Sequence, residues 1–488
     1  MTRTRTIRQR TTIFNPQSSH EGIIKHLNQT NLQLQSIDNI NNNNNQFIIE
    51  NRYTIKLDTN QQYNHIGQFR LQTKFNRTKD LGDKIFPTEF NHGINLYINP
   101  HSRVQTEEDV VVFHKQVKKL LYELIGIEVD NSMLINNHNS LYYHNVNPIN
   151  LNTTHELFKG MKLLEEDDDY EVILNDDKLV IRQVVRDVSS VQFNTEEGIY
   201  KEIGLFLIDN SISNTNDDIV LAGLRVILDN NNESESKNVH QTMFHIKPRH
   251  RYLNTSIHSE IIPKTGLHPI LKTTFPNNAN TTTTINITDD DVEECRLYYY
   301  INLESSFIFD QFQSIPENFN LIINNGIKNL ELPNYKIQNW GNEILFESNQ
   351  PFSNVPNPIE FTLHSRYQLP NQSRAYTKIS NSLPMIFVGC NVNEANLLDK
   401  SPFDTHSSIG GNYEVYFTPD TVFYHFDHDL ESNVVVEIPN GMSRFEDVNY
   451  VTTLAVVVGM GMVLVAVLMK VLKRGGTGEV VSKQKKNE

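Results

Sequence analysis

The sequence predicts a mainly β protein: one or more antiparallel β-sandwich domains with one or few helices, followed by one C-terminal transmembrane helix. From about residue 155 onward, short runs rich in Val, Ile and Leu are separated by clusters of Asp, Asn and Gly, which is typical of antiparallel strands. Val451–Met469 is uncharged, and about 20 apolar residues are enough to cross a bilayer. A large folded part is therefore expected to precede a single span.

The first 150 residues have the weakest pattern. Residues 1–50 are predicted to be poorly ordered, because they include low-complexity sequence such as Asn41–Asn45. Residues 51–150 are predicted to form an N-terminal region around one helix at about 106–126.

This helix has clear signals at both ends. Thr106 is a suitable N-cap, Asp109 completes a capping box, and Gly126 can end the helix. Six apolar residues recur at helical spacing and form one stripe: Val110, Phe113, Val117, Leu120, Leu121 and Leu124. The stripe predicts a helix that packs on a core rather than one that lies on a membrane surface.

Strands dominate the rest of the folded part. Residues 151–262 predict a β-rich region, and residues 263–449 predict a β-sandwich domain. The predicted strands are short apolar runs: Tyr170–Leu174, Lys178–Val185, Glu202–Ile208, Ile219–Leu228, Arg296–Leu303, Ile359–Leu369, Met385–Cys390, Tyr413–Thr418, Val422–Phe426 and Val434–Ile438.

Alternation along residues 359–367 predicts one core face and one face open to water or a partner. The core face carries Phe361, Leu363 and Tyr367. The open face carries Thr362, His364 and Arg366.

The transmembrane helix is predicted at residues 450–472, with a basic tail at residues 473–488. Lysine and arginine near a span usually stay in the cytosol, so the tail is expected there and the folded part in the lumen. Lys485 and Lys486 stand fourth and third from the C-terminus. This spacing is that of a dilysine signal for retrieval to the endoplasmic reticulum (ER), as against a merely basic solvated tail.

The start of the chain leaves an alternative open. MTRTRTIRQRTTIF has positive charge but no apolar core, so it is not an ordinary signal peptide. A tail-anchored protein with a cytosolic domain is the alternative topology.

Sequons and cysteines are compatible with a lumenal domain but do not require one. The glycosylation candidates follow the Asn-x-Ser/Thr pattern: Asn28, Asn76, Asn152, Asn232, Asn254, Asn280, Asn286 and Asn371. Composition alone predicts about seven or eight such sequons, so their number is uninformative. Cys295 and Cys390 permit one disulfide in an oxidising lumen, although buried free cysteines are also common.

Composition and motifs exclude several function classes. The formal net charge is −15 without a basic stripe, which argues against nucleic-acid binding. The sequence has no phosphate-binding glycine loop, nucleophile elbow or zinc signature. The acidic clusters Glu165–Asp169 and Asp289–Asp291 are predicted to be solvated loops.

The cluster His425-Phe426-Asp427-His428-Asp429 is the remaining candidate for chemistry. Asp427 and Asp429 could hold a divalent metal in a glycosyltransferase, and the histidines could bind a transition metal. A β-rich chain without a nucleotide-binding α/β fold favours a polar strand end instead. We therefore expect no catalytic residues, no cofactor and no metal site.

An ordered series of segments resembles a known family. The series begins at Gly266-Leu267-His268-Pro269 and includes Cys295–Tyr299, Phe309–Gln313, Leu330–Tyr335, Trp340-Gly341, Leu363–Tyr367, Ser401–Phe403 and Phe417–Thr421. The order is similar to that of the PIG-X family, most closely its fungal branch, which is named for a role in protease B maturation. The resemblance covers roughly residues 155–475.

The resemblance implies an ER membrane glycoprotein that is lumenal except for a short tail. It implies a non-catalytic subunit that stabilises the multi-spanning PIG-M-type subunit of GPI mannosyltransferase I. That enzyme adds the first α-1,4-linked mannose to the GPI anchor precursor, from dolichol phosphate mannose. It also implies a role in processing the protease B precursor, and the fungal branch likewise lacks an evident signal peptide.

Three functions therefore remain in competition. The preferred one is the accessory subunit. The alternatives are an ER chaperone that binds unfolded clients, and a glycosyltransferase centred on Asp427 and Asp429. Gly459 and Gly461 in the span would let another helix approach closely, although they do not form a GxxxG motif.

Overall fold

The structure is a computed structural model. It describes residues 7–15, 22–36, 46–57, 62–75, 92–137, 140–158, 161, 169–175, 178–208, 219–228, 239–246, 248–263, 267–276, 287, 289, 291–351, 357–371, 373–392, 412–428, 433–442 and 444–476. The described chain is mainly β, as predicted, with two α-helices: α1 at Glu107–Ile125 and α2 at Phe445–Gly476. It divides into two compact units, residues 1–366 with 378–436, and residues 367–377 with 437–488.

An eleven-stranded sheet fills the N-terminal part of the first unit. Its strands are β1 (Ile7–Phe14), β4 (Phe47–Lys56), β5 (Ile66–Lys74), β6 (Gly93–Pro100), β7 (Ile135–Asn136), β8 (Leu141–Asn145), β9 (Asp169–Asn175), β10 (Lys178–Val188), β12 (Ile199–Ile208), β13 (Ile219–Leu228) and β14 (Val239–Ile246). Their spatial order is β14-β13-β12-β1-β4-β10-β9-β5-β6-β8-β7. β1 and β12 pair in parallel, so the sheet is mixed rather than purely antiparallel.

One face of this sheet is apolar. At one end α1 covers it, with Phe113, Val117 and Leu120 buried among the strand side chains. Near the other end it packs against a small sheet of β2 (Ile24–Leu27), β3 (Asn31–Gln35) and β11 (Ser190–Asn194). Burial of these aliphatic side chains is the main stabilising contribution on this face.

The opposite face carries a row of polar side chains between two smaller apolar clusters. Eight side chains lie side by side across eight neighbouring strands, in the order Glu202, Arg10, Arg52, Arg182, Glu171, Gln72, Asn95 and His144. Arg182 Nε donates to Glu50 Oε1 at 2.7 Å. Because a one-residue slip would leave these buried charges unpaired, the row helps to fix the strand register.

An eight-stranded sheet fills the rest of the first unit, in the order β19-β20-β17-β25-β26-β15-β16-β21. The strands are β15 (His250–Ile262), β16 (Ile270–Thr274), β17 (Val292–Glu304), β19 (Phe319–Gly326), β20 (Gly341–Ser348), β21 (Ile359–Thr362), β25 (Met385–Val392) and β26 (Thr421–His428). β15 pairs in parallel with β26 through its first half and antiparallel with β16 through its second half. The sheet folds over an aromatic core in which the rings of Phe346 and Phe361 lie 4.6 Å apart.

The remaining strands are short or lie near the span. β18 (Phe307–Ile308) pairs with β22 (His364–Ser365), and β24 is Tyr376–Ser382. In the second unit, β23 (Gln368–Asn371) pairs in parallel with the last residues of β27 (Asn433–Met442), which leads into α2.

The helix prediction is confirmed, but the predicted organisation of the N-terminal half is wrong. Residues 1–50 contain β1 to β4 in their described part, because pairing with distant strands buries a polar sequence that has no strong local pattern. Strands from residues 51–150 and 151–262 join one sheet instead of two regions. The change of sheet falls between Ile246 and His250, because β15 belongs to the second sheet.

Two strand predictions also fail. Tyr413–Thr418 is largely a 3₁₀ helix, Asn412–Tyr416, which packs on the sheet with Tyr413 stacked 4.1 Å from Phe387. The run from 359 to 369 breaks into three short strands, so its alternation does not persist. Tyr367 is therefore exposed and Arg366 is buried, the reverse of the prediction.

Candidate functional site

The C-terminal helix is the clearest candidate for a membrane contact. Glu446–Lys473 spans 28 residues with mean hydropathy 2.6, and none of its apolar stretch is buried by the protein. By length and composition it can cross a membrane. A Cβ added at Gly459 or Gly461 would meet no atom within 4 Å. Lys485 and Lys486 lie outside the described residues.

The cluster at residues 425–429, which we call the DHD cluster, begins in β26, whose last residue is His428. His425 is buried, with Nε2 3.1 Å from both His250 Nδ1 and Tyr413 Oη. Asp427 is half-buried, and Asp429 lies outside the described residues. Within the described ranges, no group of three His, Cys, Asp or Glu side chains is placed to hold a metal ion.

His250 contacts His425 on one side and the carboxylate of Glu414 on the other. His250 Nε2 lies 3.2 Å from Glu414 Oε1, and Arg249 Nη1 lies 3.6 Å from Glu414 Oε2. Burial alone would raise the pKa of Glu414, but His250 and Arg249 outweigh it and hold that pKa at about 2. Because these groups bind one another, the buried histidines and Glu414 support the fold.

Three carboxylates of the acidic clusters bind buried arginines instead of facing solvent. Asp289 and Asp291 both bind Arg251, whose guanidinium is buried and whose Nη1 donates to Asp289 Oδ2 at 3.0 Å. Asp169 is buried and accepts a hydrogen bond from Arg186 Nη1 at 3.0 Å. The prediction of solvated loops is therefore wrong for these three carboxylates, because buried arginines compensate their charge.

The two cysteines are close neighbours on adjacent strands. Cys295 in β17 and Cys390 in β25 form a disulfide with their Cα atoms 4.1 Å apart. The bond closes a separation of 95 residues in sequence. It crosslinks the central strands of the second sheet.

The described sequons differ in exposure. Asn28 is exposed at the turn between β2 and β3, Asn371 is exposed at the end of β23, and Asn152 is half-buried. In the first two, the sequon hydroxyl donates to the asparagine Oδ1, from Thr30 at 3.2 Å and from Ser373 at 2.9 Å. Asn254 lies in β15, but its side chain is not among those described. Four candidates lie outside the described residues: Asn76, Asn232, Asn280 and Asn286.

A buried polar seam joins the two sheets of the first unit. Trp340 Nε1 donates to the Tyr142 carbonyl at 3.2 Å, and the two rings meet edge to face at 5.2 Å. Asn302 Nδ2 donates to Tyr142 Oη at 3.0 Å. His144 Nε2 lies 2.7 Å from Ser382 Oγ. Burial lowers the pKa of His144 to about 3, so its imidazole is neutral.

Glu343 is the most perturbed carboxyl of this seam. It is fully buried and accepts hydrogen bonds from Tyr300 at 2.8 Å and Tyr416 at 3.1 Å. Asn325 and Asn137 donate at 3.2 and 3.5 Å. Burial raises the pKa of Glu343 to about 7, and the four hydrogen bonds oppose this only in part. Asn137 directly follows β7 of the first sheet, so the contact of Glu343 with Asn137 links the two sheets.

Several exposed apolar side chains lie in β19 and in the loops on either side of it. Six large ones lie between residues 312 and 335, and we call them the 312–335 surface: Phe312, Ile315, Ile322, Leu330, Leu332 and Tyr335. Phe312 is 87% exposed and Tyr335 is 52% exposed. Asn324 Nδ2 lies 3.5 Å from Gln311 Oε1, which links two of the segments. Such a concentration marks an interaction site more often than it occurs by chance.

The buried side chain of Arg366 binds the loop that carries Leu330, Leu332 and Tyr335. Its Nη1 donates to the Leu332 carbonyl at 2.9 Å and to the Asn329 carbonyl. Ser305 Oγ donates to Asn334 Oδ1 at 3.0 Å. The loop is thus held in a fixed conformation that presents its apolar side chains. The sequence did not reveal this, because the alternation around Arg366 predicted an exposed side chain.

The fold and these sites define a class: a large β-rich protein with one C-terminal candidate membrane span. The family model described as PIG-X / PBN1 matches residues 264–468. Protein PBN1 of Candida albicans is 49% identical, over 95% of this chain and 98% of that protein. Protein PBN1 of Debaryomyces hansenii is 33% identical, over 96% of this chain and 98% of that protein. The chain belongs to the PIG-X / PBN1 family.

A more distant relative matches only in part. Protein PBN1 of Eremothecium gossypii is 27% identical over 49% of this chain and 52% of that protein. The two full-length matches include the eleven-stranded sheet, which lies outside the residues of the family match.

Proposed function

We propose that this protein is a non-catalytic, stabilising subunit of GPI mannosyltransferase I in the ER membrane. Its partner is a multi-spanning PIG-M-type catalytic subunit, which transfers the first α-1,4-linked mannose from dolichol phosphate mannose to the GPI anchor precursor. The observation that carries the proposal is membership of the PIG-X / PBN1 family along nearly the whole chain.

Stabilisation by association is a sufficient mechanism for such a subunit. A protein that binds only the folded partner shifts the partner's folding equilibrium, by roughly 2.7 kcal/mol at 100 times the dissociation constant. The 312–335 surface offers the contact outside the membrane, and α2 offers a second contact within it. Gly459 and Gly461 leave room for a neighbouring helix.

The charge distribution supports a lumenal folded part. Glu446 and Asp447 precede the apolar stretch of α2, whereas Lys470 and Lys473 follow it. By the positive-inside rule the C-terminal tail is cytosolic. The dilysine spacing in that tail supports retrieval to the ER.

Co-purification tests the contact surface. Phe312→Ser with Tyr335→Ser should weaken recovery of the catalytic subunit with this protein, by roughly 10- to 100-fold in affinity if both residues are central to the contact. Val111→Ser is the matched control, because Val111 is also a highly exposed apolar residue but lies on α1. Equal recovery with all variants, at equal protein level, would remove the 312–335 surface from the proposal.

A chaperone role is the second candidate. The same exposed apolar surface suits an unfolded segment of a secretory or vacuolar protein, such as the protease B precursor. Depletion then distinguishes the two functions. Loss confined to mannosyltransferase products supports the subunit, whereas retention of many unrelated secretory proteins supports the chaperone.

A further inference from the structure

A short strand–turn–strand segment lies in the same compact unit as the candidate membrane helix. It comprises residues 367–371 and 373–377, and its strands β23 and β24 flank β27 on opposite sides instead of pairing with each other. We call this reversal of the chain around β27 the juxtamembrane hairpin. Its first strand, β23, runs parallel to β27, with Gln368 opposite Asn440 and Asn371 opposite Met442. Because β27 leads directly into α2, the turn of the hairpin points along the chain toward the helix.

Asn440 of β27 makes hydrogen bonds to the hairpin. Its backbone N–H donates to the Ala375 carbonyl at 2.8 Å, and its Nδ2 donates to the Arg374 carbonyl at 3.2 Å. Its Oδ1 accepts from Thr377 Oγ1 at 2.6 Å. These three hydrogen bonds of Asn440 hold the hairpin against β27, the strand that leads into α2.

The hairpin exposes large apolar side chains that the protein does not cover. Tyr367 is 69% exposed, Leu369 is 64% exposed and Tyr376 is 55% exposed. Arg374, at the turn, is also exposed. Tyrosine is enriched where bilayers meet water, and a long cationic side chain can keep its charge among headgroups while its stem covers apolar surface.

The distance to the membrane is limited by the chain itself. Two residues lie between Met442 and Phe445, the first residue of α2, and the three steps from Cα to Cα allow at most roughly 11 Å. The 28-residue candidate span is about 42 Å long, compared with roughly 30 Å of hydrocarbon. The first turn of α2, with Glu446 and Asp447, therefore lies at headgroup level, close to the hairpin turn.

We propose that the juxtamembrane hairpin rests in the interfacial layer of the bilayer that α2 crosses, with Tyr367, Leu369 and Tyr376 in contact with lipid. The proposal rests on the single-span topology of the proposed function. Two contacts with one bilayer, the hairpin and α2, limit rotation about the connection between β27 and α2.

Spin labelling of the full chain in phosphatidylcholine liposomes tests this contact. Both cysteines are in the disulfide, so an introduced cysteine is the only free thiol. Ser373→Ala in every sample removes the sequon at Asn371, so no glycan can hold the turn away from lipid. Labels are placed by Leu369→Cys and Tyr376→Cys in the hairpin, and by V457C in α2 and V111C on α1 as controls.

The readout is the accessibility of each label to oxygen, which partitions into lipid, relative to a water-soluble nickel complex. We expect the ratio at residues 369 and 376 to be several-fold above that at 111 and below that at 457. Ratios at both hairpin sites equal to that at 111, with a high ratio at 457, overturn the hairpin proposal alone. A low ratio at 457 overturns the membrane span itself and the hairpin proposal with it.

Discussion

Replacing Glu343 by Gln should remove a pH dependence from the stability of the fold. Burial raises the pKa of Glu343 to about 7 from 4.5, so the folded protein favours the neutral acid. A carboxyl with a raised pKa contributes its full stability below the unfolded-state pKa and loses it as the pH rises through the folded-state value. Between pH 5 and pH 8 this linkage predicts a loss of about 2.5 kcal/mol in the unmodified protein.

The glutamine variant keeps the shape and one acceptor but cannot ionise. Asn137 and Asn325 donate to different oxygens of Glu343, so the NH₂ group would replace the acceptor of one of them, at a cost of roughly 1 kcal/mol. The variant is therefore expected to match the unmodified protein at pH 5 and to be about 2 kcal/mol more stable at pH 8.

Urea unfolding of the full chain in detergent, followed by tryptophan fluorescence, measures this difference. Trp340 is the only tryptophan, and it lies at the seam against Tyr142. Glu414→Gln is the control, because folding lowers the pKa of Glu414 whereas it raises the pKa of Glu343. Burial tends to raise the pKa of Glu414, but His250 and Arg249 hold it at about 2, so its contribution is present above pH 4.5 and lost as the pH falls toward 2. A stability difference for E343Q that is the same at pH 5 and pH 8 would refute the reasoning.

The remaining predictions concern the disulfide, the DHD cluster and the topology. Cys390→Ala should cost roughly 4 kcal/mol in the chain-entropy model for the separation of 95 residues, and mass mapping that finds free thiols at Cys295 and Cys390 in the native protein would contradict it. Asp427→Ala with Asp429→Ala should leave mannose transfer nearly intact, whereas loss of a catalytic acid or base typically costs at least about 100-fold in rate. Endoglycosidase H should shift the mobility of the protein. No shift, together with degradation of the folded part by protease outside sealed microsomes, would favour the tail-anchored topology.

Local signals made some elements predictable. The helix α1 has its capping box at Thr106 and Asp109 and its left-handed C-cap at Gly126, as the sequence indicated. Ile219–Leu228 is a strand with the predicted limits, because its apolar run is bounded by polar turn residues. The candidate membrane helix is equally local, since length and hydropathy suffice to recognise it.

Long-range pairing explains what the sequence could not reveal. β1 is polar at Arg8, Gln9 and Arg10, and it is a central strand only because β4 and β12 pair with it on both sides. No periodicity within the N-terminal segment indicates either partner. The parallel arrangement of β1 with β12, and of β15 with β26, likewise depends on tertiary contacts.

The candidate sites were harder still to predict. Glu343 lies in a strand with apolar neighbours, and nothing local indicates that Tyr300 and Tyr416 meet its carboxyl. Phe312 and Tyr335 resemble ordinary core residues in sequence, and their exposure is visible only in the fold. A polar residue in an apolar strand is the one signal that could have selected Glu343.

Depletion of this protein in a fungal cell, with the PIG-M-type subunit and GPI precursors measured together, tests the proposed role as a stabilising subunit. We expect the level of the catalytic subunit to fall and precursors to accumulate before the first mannose is added. An unchanged level of the catalytic subunit with normal mannose transfer would contradict it.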